Sequence, residues 1–172
     1  MSAITLAWLI GIVVGIILVL IILMFVNKDG RLKTKYDERQ LLVRGKAYKY
    51  GFFACLISNA VFMFFMTGDF GFEVFGYSIF FFPILIGVTV QVTYCIFKDG
   101  YVGLNTNMTR FIIIIAVIGV LNFALFFRSL FAGDLIINGR MQGPFLNLLC
   151  GLLLIIVAVE LFIKKLLDAR EG

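Results

Sequence analysis

An all-α polytopic membrane protein with five transmembrane helices is the fold this sequence predicts, and three observations predict it. The 172 residues are 62% hydrophobic, with a mean hydropathy of +1.08, whereas soluble domains run nearer about 45–50% apolar. The charged residues, 15% of the chain, gather in clusters instead of spreading over a surface. The apolar residues gather in five runs near the roughly 20 residues that a helix needs to cross a bilayer. Helices are the spanning element that fits, because backbone groups in lipid must be satisfied internally and alternating barrel-strand patterns are absent.

Taken in order, the spans are expected at about 4–26, 48–66, 77–97, 109–127 and 145–163, in a single membrane domain covering 1–172. The first run, Ile4 to Val26, holds no charge. A cleaved signal peptide would want a positive start and a shorter apolar core. This run starts MSAITLAW and ends in NKDGR, which reads as a stop before cytoplasm. Trp8 suits an interface anchor. Gly11 and Gly15 form a GxxxG stripe where a helix can approach closely, from the same chain or from a second copy.

Orientation follows from the basic residues. Of the fifteen, thirteen fall in the segment 27–49, the connection between spans three and four, and the tail; Arg128 and Arg140 alone fall elsewhere. Five spans put all three basic segments on one side. The N-terminus is therefore expected outside and the C-terminus in the cytoplasm, with a cytoplasmic segment at 27–47. The outer connections carry Asp69, Glu73 and Asp134. The aromatic stretch YSIFFFP, with Phe70, Phe72 and Phe75 before it, suits a loop lying in the lipid interface or a pocket for an apolar or peptide ligand.

The cytoplasmic stretch YDERQLLVRGKAYKYG is unusual because topology asks for positive charge only. Asp37 followed by Gln40 fits a capping box, and Asp37 and Glu38 suit a helix N-terminus. The helix is expected to run on through Gly51 into the second span. Arg39, Arg44, Lys46 and Lys49 can reach anionic head groups or a partner. The acids Asp37, Glu38 and Asp99 are expected to pair with Arg39, Arg44 or a partner's basic groups. Lys28-Asp29-Gly30 and Lys98-Asp99-Gly100 each follow a span on this side, a pattern open to a duplicated hairpin or to simple turn chemistry.

Chemistry is sparse. The chain has no histidine, which removes the commonest proton shuttle and metal ligand and any Ser–His or Cys–His nucleophile. Cys55, Cys95 and Cys150 lie inside apolar runs without metal spacing and read as packing residues. No enzyme activity, metal or cofactor is expected. Nucleic-acid binding would need a folded reader domain, for which there is no length. Asn59, Gln91, Asn122 and Asn147 lie within spans, as do Ser58, Thr89 and Thr93. They read as interhelical glue or as the lining of a pathway. Glu160 lies four residues before Lys164, and an ion pair between them at the interface is expected.

The motifs YDERQLLVRGKAYKYGFF and FKDGYVGLN, the second with Gly100 where alanine often stands, resemble those of small uncharacterised bacterial multi-helix membrane proteins. That resemblance implies a bacterial inner membrane and a setting among transcriptional regulators or transporters. It supplies no substrate. The function expected is a non-enzymatic accessory or regulatory membrane subunit, bound to anionic lipid and to a membrane protein partner or its own copies. The alternatives are a small channel or transporter lined by Gln91, Asn122 or Asn147, and a sensor of an apolar or peptide ligand.

Overall fold

The computed structural model describes residues 3–68 and 71–171. Asp69 and Phe70, and the side chains of Trp8 and Glu73, lie outside the described residues. Five helices carry the fold: α1 (Ala3–Val26), α2 (Glu38–Thr67), α3 (Phe81–Phe97), α4 (Met108–Ala132) and α5 (Phe145–Glu171). All five are long and apolar enough to cross a membrane, as a multi-pass membrane protein requires.

The helices overrun the expected spans. At about 1.5 Å per residue, the 30 residues of α2 reach about 45 Å, against a hydrocarbon core of about 30 Å. The charged residues of α2 lie in its first half. The helix runs unbroken through Gly51, as the sequence suggests. α4 continues to Ala132 and α5 to Glu171, each past its expected end. The third apolar stretch runs from Val74 to Phe97 and is α-helical only from Phe81. A 3-10 segment, Phe72–Phe80, precedes α3, and Gly76 breaks that segment with φ 52 and ψ −137. Few residues but glycine take that backbone. A side chain at Gly76 would also lie 3.0 Å from the Met141 carbonyl oxygen.

Two helical hairpins form the bundle. α2 packs along α3, α4 packs along α5, and α3 meets α5 to join the pairs. Each hairpin crosses at a pair of glycines on opposite helices. A Cβ at Gly51 would lie 2.8 Å from the Gly87 oxygen, and one at Gly151 would lie 3.2 Å from the Gly119 oxygen. Backbone meets backbone at both crossings, as small residues permit in membrane helices. Between the hairpins lies an apolar core of Val92, Ile96, Ile115, Val157, Ala158 and Leu161.

α1 stands apart. Its described side chains from Leu6 to Leu20 are exposed, and burial begins only at Val26 and Asn27. Nothing in the described chain comes within 4 Å of a Cβ built on Gly11 or Gly15. The reading of that stripe as packing inside one chain is therefore corrected: α1 touches the bundle through its last turn.

The connection between α4 and α5 holds a small hairpin that the sequence reading did not foresee. Strands β1 (Ile136–Ile137) and β2 (Arg140–Met141) pair antiparallel. Asn138 and Gly139 turn with φ 53 and 74, the two positive values of a type I′ turn, for which Asn-Gly is the favoured pair.

Candidate functional site

The two ends of the bundle differ in kind. The basic end gathers the α1–α2 connection, the α3–α4 connection and the end of α5. Its geometry begins with the α2 cap. Asp37 Oδ1 accepts from the Gln40 N–H at 2.6 Å, and Gln40 Oε1 accepts from the Asp37 N–H at 3.3 Å. The capping box is thus real. The Gln40 side chain does more. Its Nε2 donates to the Asp99 carbonyl at 2.9 Å and the Val102 carbonyl at 3.0 Å. Gln40 is buried, so these bonds satisfy groups that would otherwise be costly to bury. One side chain caps α2 and holds the α3–α4 connection.

Asp99 is the second fixed point. It sits just past α3 with φ 61, left-handed backbone that Asp tolerates better than most residues. The Gly100 N–H donates back to the Cys95 carbonyl at 2.8 Å, so the turn closes as a Schellman motif with Asp at the usual glycine position. The Asp99 carboxylate then accepts from Lys164 at 2.8 Å and Arg39 at 3.1 Å. Lys164 also bonds Asp168 at 2.6 Å. The Lys164 ammonium holds the Asp99 carboxyl below the usual carboxylate range; desolvation works against it and Arg39 supports it. The α2 start, the α3 end and α5 are tied at one residue.

Gly100 is tight for a different reason. A Cβ there would lie 2.6 Å from Val43 Cγ1. An alanine there would press on α2. Arg44 donates to the Gly100 carbonyl at 3.4 Å and stacks on the Tyr36 ring, 4.2 Å from its centroid.

A second knot ties α1 in. Asn105 Nδ2 donates to Asp29 at 3.0 Å and to the Lys33 carbonyl at 3.1 Å, and its oxygen accepts from the Lys35 N–H at 2.8 Å. Lys35 pairs with Asp29 at 3.4 Å. Desolvation works to raise the Asp29 carboxyl, but the bonds from Asn105, the Arg31 N–H and Lys35 outweigh it and leave it below its ordinary value. Backbone bonds from Lys28 to Asn105, Leu104 to Lys35 and Asn107 to Val26 complete the knot. The two KDG turns differ: the left-handed residue is Gly30 in the first and Asp99 in the second.

The expected site residues thus divide. Asp37, Arg39, Gln40, Arg44 and Asp99 come together. Asp99 pairs with Arg39, as one of the expected pairings has it, and Asp37 caps α2. Glu38, Lys46 and Lys49 remain exposed with no ion pair among the described residues. Asn105, Asp29 and Lys164 were missed, although the run Asn105-Thr-Asn107 beside a KDG turn is the kind of short polar cluster that fixes loops.

Two of the amides within the spans bond their own helices. Asn59 donates to the Cys55 carbonyl at 2.9 Å and Asn122 to the Ile118 carbonyl at 2.9 Å, each one turn back on its own helix. Gln91 packs at the Gly51 crossing. Asn147 lines a cavity of about 270 Å³ with Arg128 and Asp134 at the far end. Cross-helix bonds come instead from Ser58, reaching the Pro83 carbonyl at 3.5 Å, and from Thr93, donating to Glu160 at 2.8 Å. Glu160 does not pair with Lys164, whose ammonium is taken by Asp99 and Asp168. The expected i,i+4 ion pair is replaced by Thr93.

The opposite end is held by rings. Phe65 stacks on Phe72 at 5.2 Å, Phe62 meets Phe82 at 5.4 Å, Phe82 meets Phe75 at 5.5 Å, and Phe75 meets Phe145 at 5.9 Å. Phe72 and Phe75 therefore pack on the bundle. Tyr77 and Phe80 remain exposed. Two cavities of about 420 Å³ each share Met66 and Phe80; one includes Tyr77, Arg140 and Met141, the other Asn59, Phe62 and Pro83. No group of metal-ligating side chains is found among the described residues.

No protein-family description, curated protein or solved structure matches this chain.

Proposed function

We propose that this is a non-enzymatic integral membrane protein acting as an accessory or regulatory subunit, with its basic end in the cytoplasm of a bacterial cell. The observation that carries this reading is the construction of the basic end. Gln40, Asp99 and Asn105 bind two connections and α5 into one folded plate. A plate fixed before binding loses little conformational freedom when a partner docks. Thirteen of the fifteen basic residues belong to this end, which supports its cytoplasmic placement. Glu38, Lys46 and Lys49 face outward and are the docking candidates, with anionic lipid contributing about 1 kcal/mol per basic residue near the surface.

The test is a mild-detergent pull-down of the tagged protein from its native membrane, read by mass spectrometry. A stoichiometric membrane partner is expected, and it should be lost from the triple variant Glu38→Lys, Lys46→Glu, Lys49→Glu. Recovery of the same assembly with that variant would sink the docking reading. Orientation is tested separately with Lys33→Cys and Ile137→Cys. An impermeant maleimide applied to intact cells should label the second and spare the first.

A second reading, the sensor of an apolar ligand, draws on the paired cavities at the opposite end. Their volumes fall in the range of small-molecule sites, and ligand-dependent thermal stabilisation would favour it.

A further inference from the structure

Glu160 is the one carboxylate set within the apolar span of α5, and its two oxygens are treated differently. Oε1 accepts from the Thr93 hydroxyl of α3 at 2.8 Å. Oε2 is buried and has no hydrogen-bond partner. Its neighbours in sequence, Val157, Ala158 and Leu161, belong to the apolar core between the hairpins, as do Val92 and Ile96 beside Thr93. A charged oxygen without a donor in such a setting is strongly disfavoured, and ionisable groups inside membrane spans mark functional positions more often than structural ones.

The surrounding charges do not relieve it. α3 carries no Asp, Glu, Lys or Arg between Phe81 and Phe97. Of its titratable groups near Thr93, Tyr94 packs edge-on against Tyr50 of α2, and Cys95 is buried. On α4, Arg110 is directed to the Phe25 carbonyl and ring. On α5 itself, Lys165 donates to Thr109, and Lys164 is held by Asp99 and Asp168.

We infer that Glu160 is an exchangeable proton-binding site at the α3–α5 contact, with the proton carried on Oε2. A proton from water adds to the carboxylate and forms a neutral carboxyl, while the Thr93 hydroxyl continues to donate to Oε1. Release leaves a carboxylate for which Lys164, one turn away, is the nearest cation on the same helix. Proton release at Glu160 thus competes with the Asp99–Lys164 contact that ties α5 into the basic plate. The site does not depend on the plate being a docking surface.

The experiment is infrared difference spectroscopy of the full-length protein in lipid bilayers at neutral pH. The other carboxylates whose side chains the structure describes are exposed, or half-exposed and ion-paired as Asp99 is, so a carbonyl band from a protonated carboxyl reports Glu160. The band is expected in the wild type, absent in Glu160→Gln, and shifted in frequency in Thr93→Val, which keeps the carboxyl and removes the donor. It should fade as the pH is raised, and in Lys164→Met it should persist to higher pH because the competing cation is gone. A neutral-pH spectrum with carboxylate bands only would overturn the inference. So would a band unchanged in either Glu160→Gln or Thr93→Val, or one that does not respond to pH.

Discussion

The two ends of the bundle solve the same problem, fixing a connection between helices, by opposite means. At the basic end the joints are directional: Gln40 reaches two carbonyls, Asp99 two cations, and Asn105 three groups of the α1–α2 connection. At the other end the joints are ring contacts among Phe62, Phe65, Phe72, Phe75, Phe82 and Phe145. Directional bonds define one geometry and fail when one atom is wrong. Ring packing is worth its buried area and tolerates small shifts. The difference teaches where shape is fixed most narrowly in this molecule, and that is the charged end.

The largest effect should come from the aromatic end. Phe82 touches Phe62, Phe75 and Phe145, so Phe82→Ala is expected to cost about 3 kcal/mol. Unfolding in detergent should show that loss, and changes of salt should leave it unaltered. Gln40→Ala comes next, at about 2 kcal/mol, since it removes half the capping box and strands two carbonyls. Its loss should be seen in unfolding and, unlike that of Phe82→Ala, in faster exchange at the basic end.

Smaller still is the pH response of Asp99. Its carboxyl sits below the usual range in the folded protein. The stabilisation is therefore complete above the unfolded value of about 3.9 and is lost as the pH falls through the lowered folded value. A stability profile that declines between neutral pH and about pH 5, and is flattened by Asp99→Asn, would contradict this assignment. The smallest effect belongs to α1. Gly11→Leu with Gly15→Leu should leave the stability of the single chain within about 0.5 kcal/mol, because open space surrounds both positions. A large loss would mean that α1 packs where the present fold leaves it bare.

Much of this architecture was legible in the sequence. Span number follows from run length. The α2 start follows from Asp37 and Gln40, because a capping box is a local device three residues long. The junctions that fix the basic end were not legible. Gln40 meets Asp99 and Val102 some sixty residues on, and Asn105 meets Asp29 over seventy away, so no local pattern announces them. The glycine crossings were hidden for a related reason: the GxxxG of α1 obeys the familiar spacing yet meets none of the described residues of its own chain, while Gly51 and Gly87 meet as single residues on separate helices. The Asn138-Gly139 turn does carry a local signal, the residue pair that a type I′ turn favours. Asn59 and Asn122 turn back on their own helices because a side chain inside a helix can bond the carbonyl four residues back before it seeks a neighbour.

The central claim is that the basic end is one cooperative plate. Hydrogen–deuterium exchange of wild type and Gln40→Ala in lipid discs tests it most directly. The N–H groups of Lys28, Leu104 and Asn107 all bond across the two connections, and none of them touches Gln40. The plate predicts that all three exchange faster together in the variant. If only residues next to Gln40 respond, while Lys28 and Asn107 keep their protection, the connections are separate loops and the account fails.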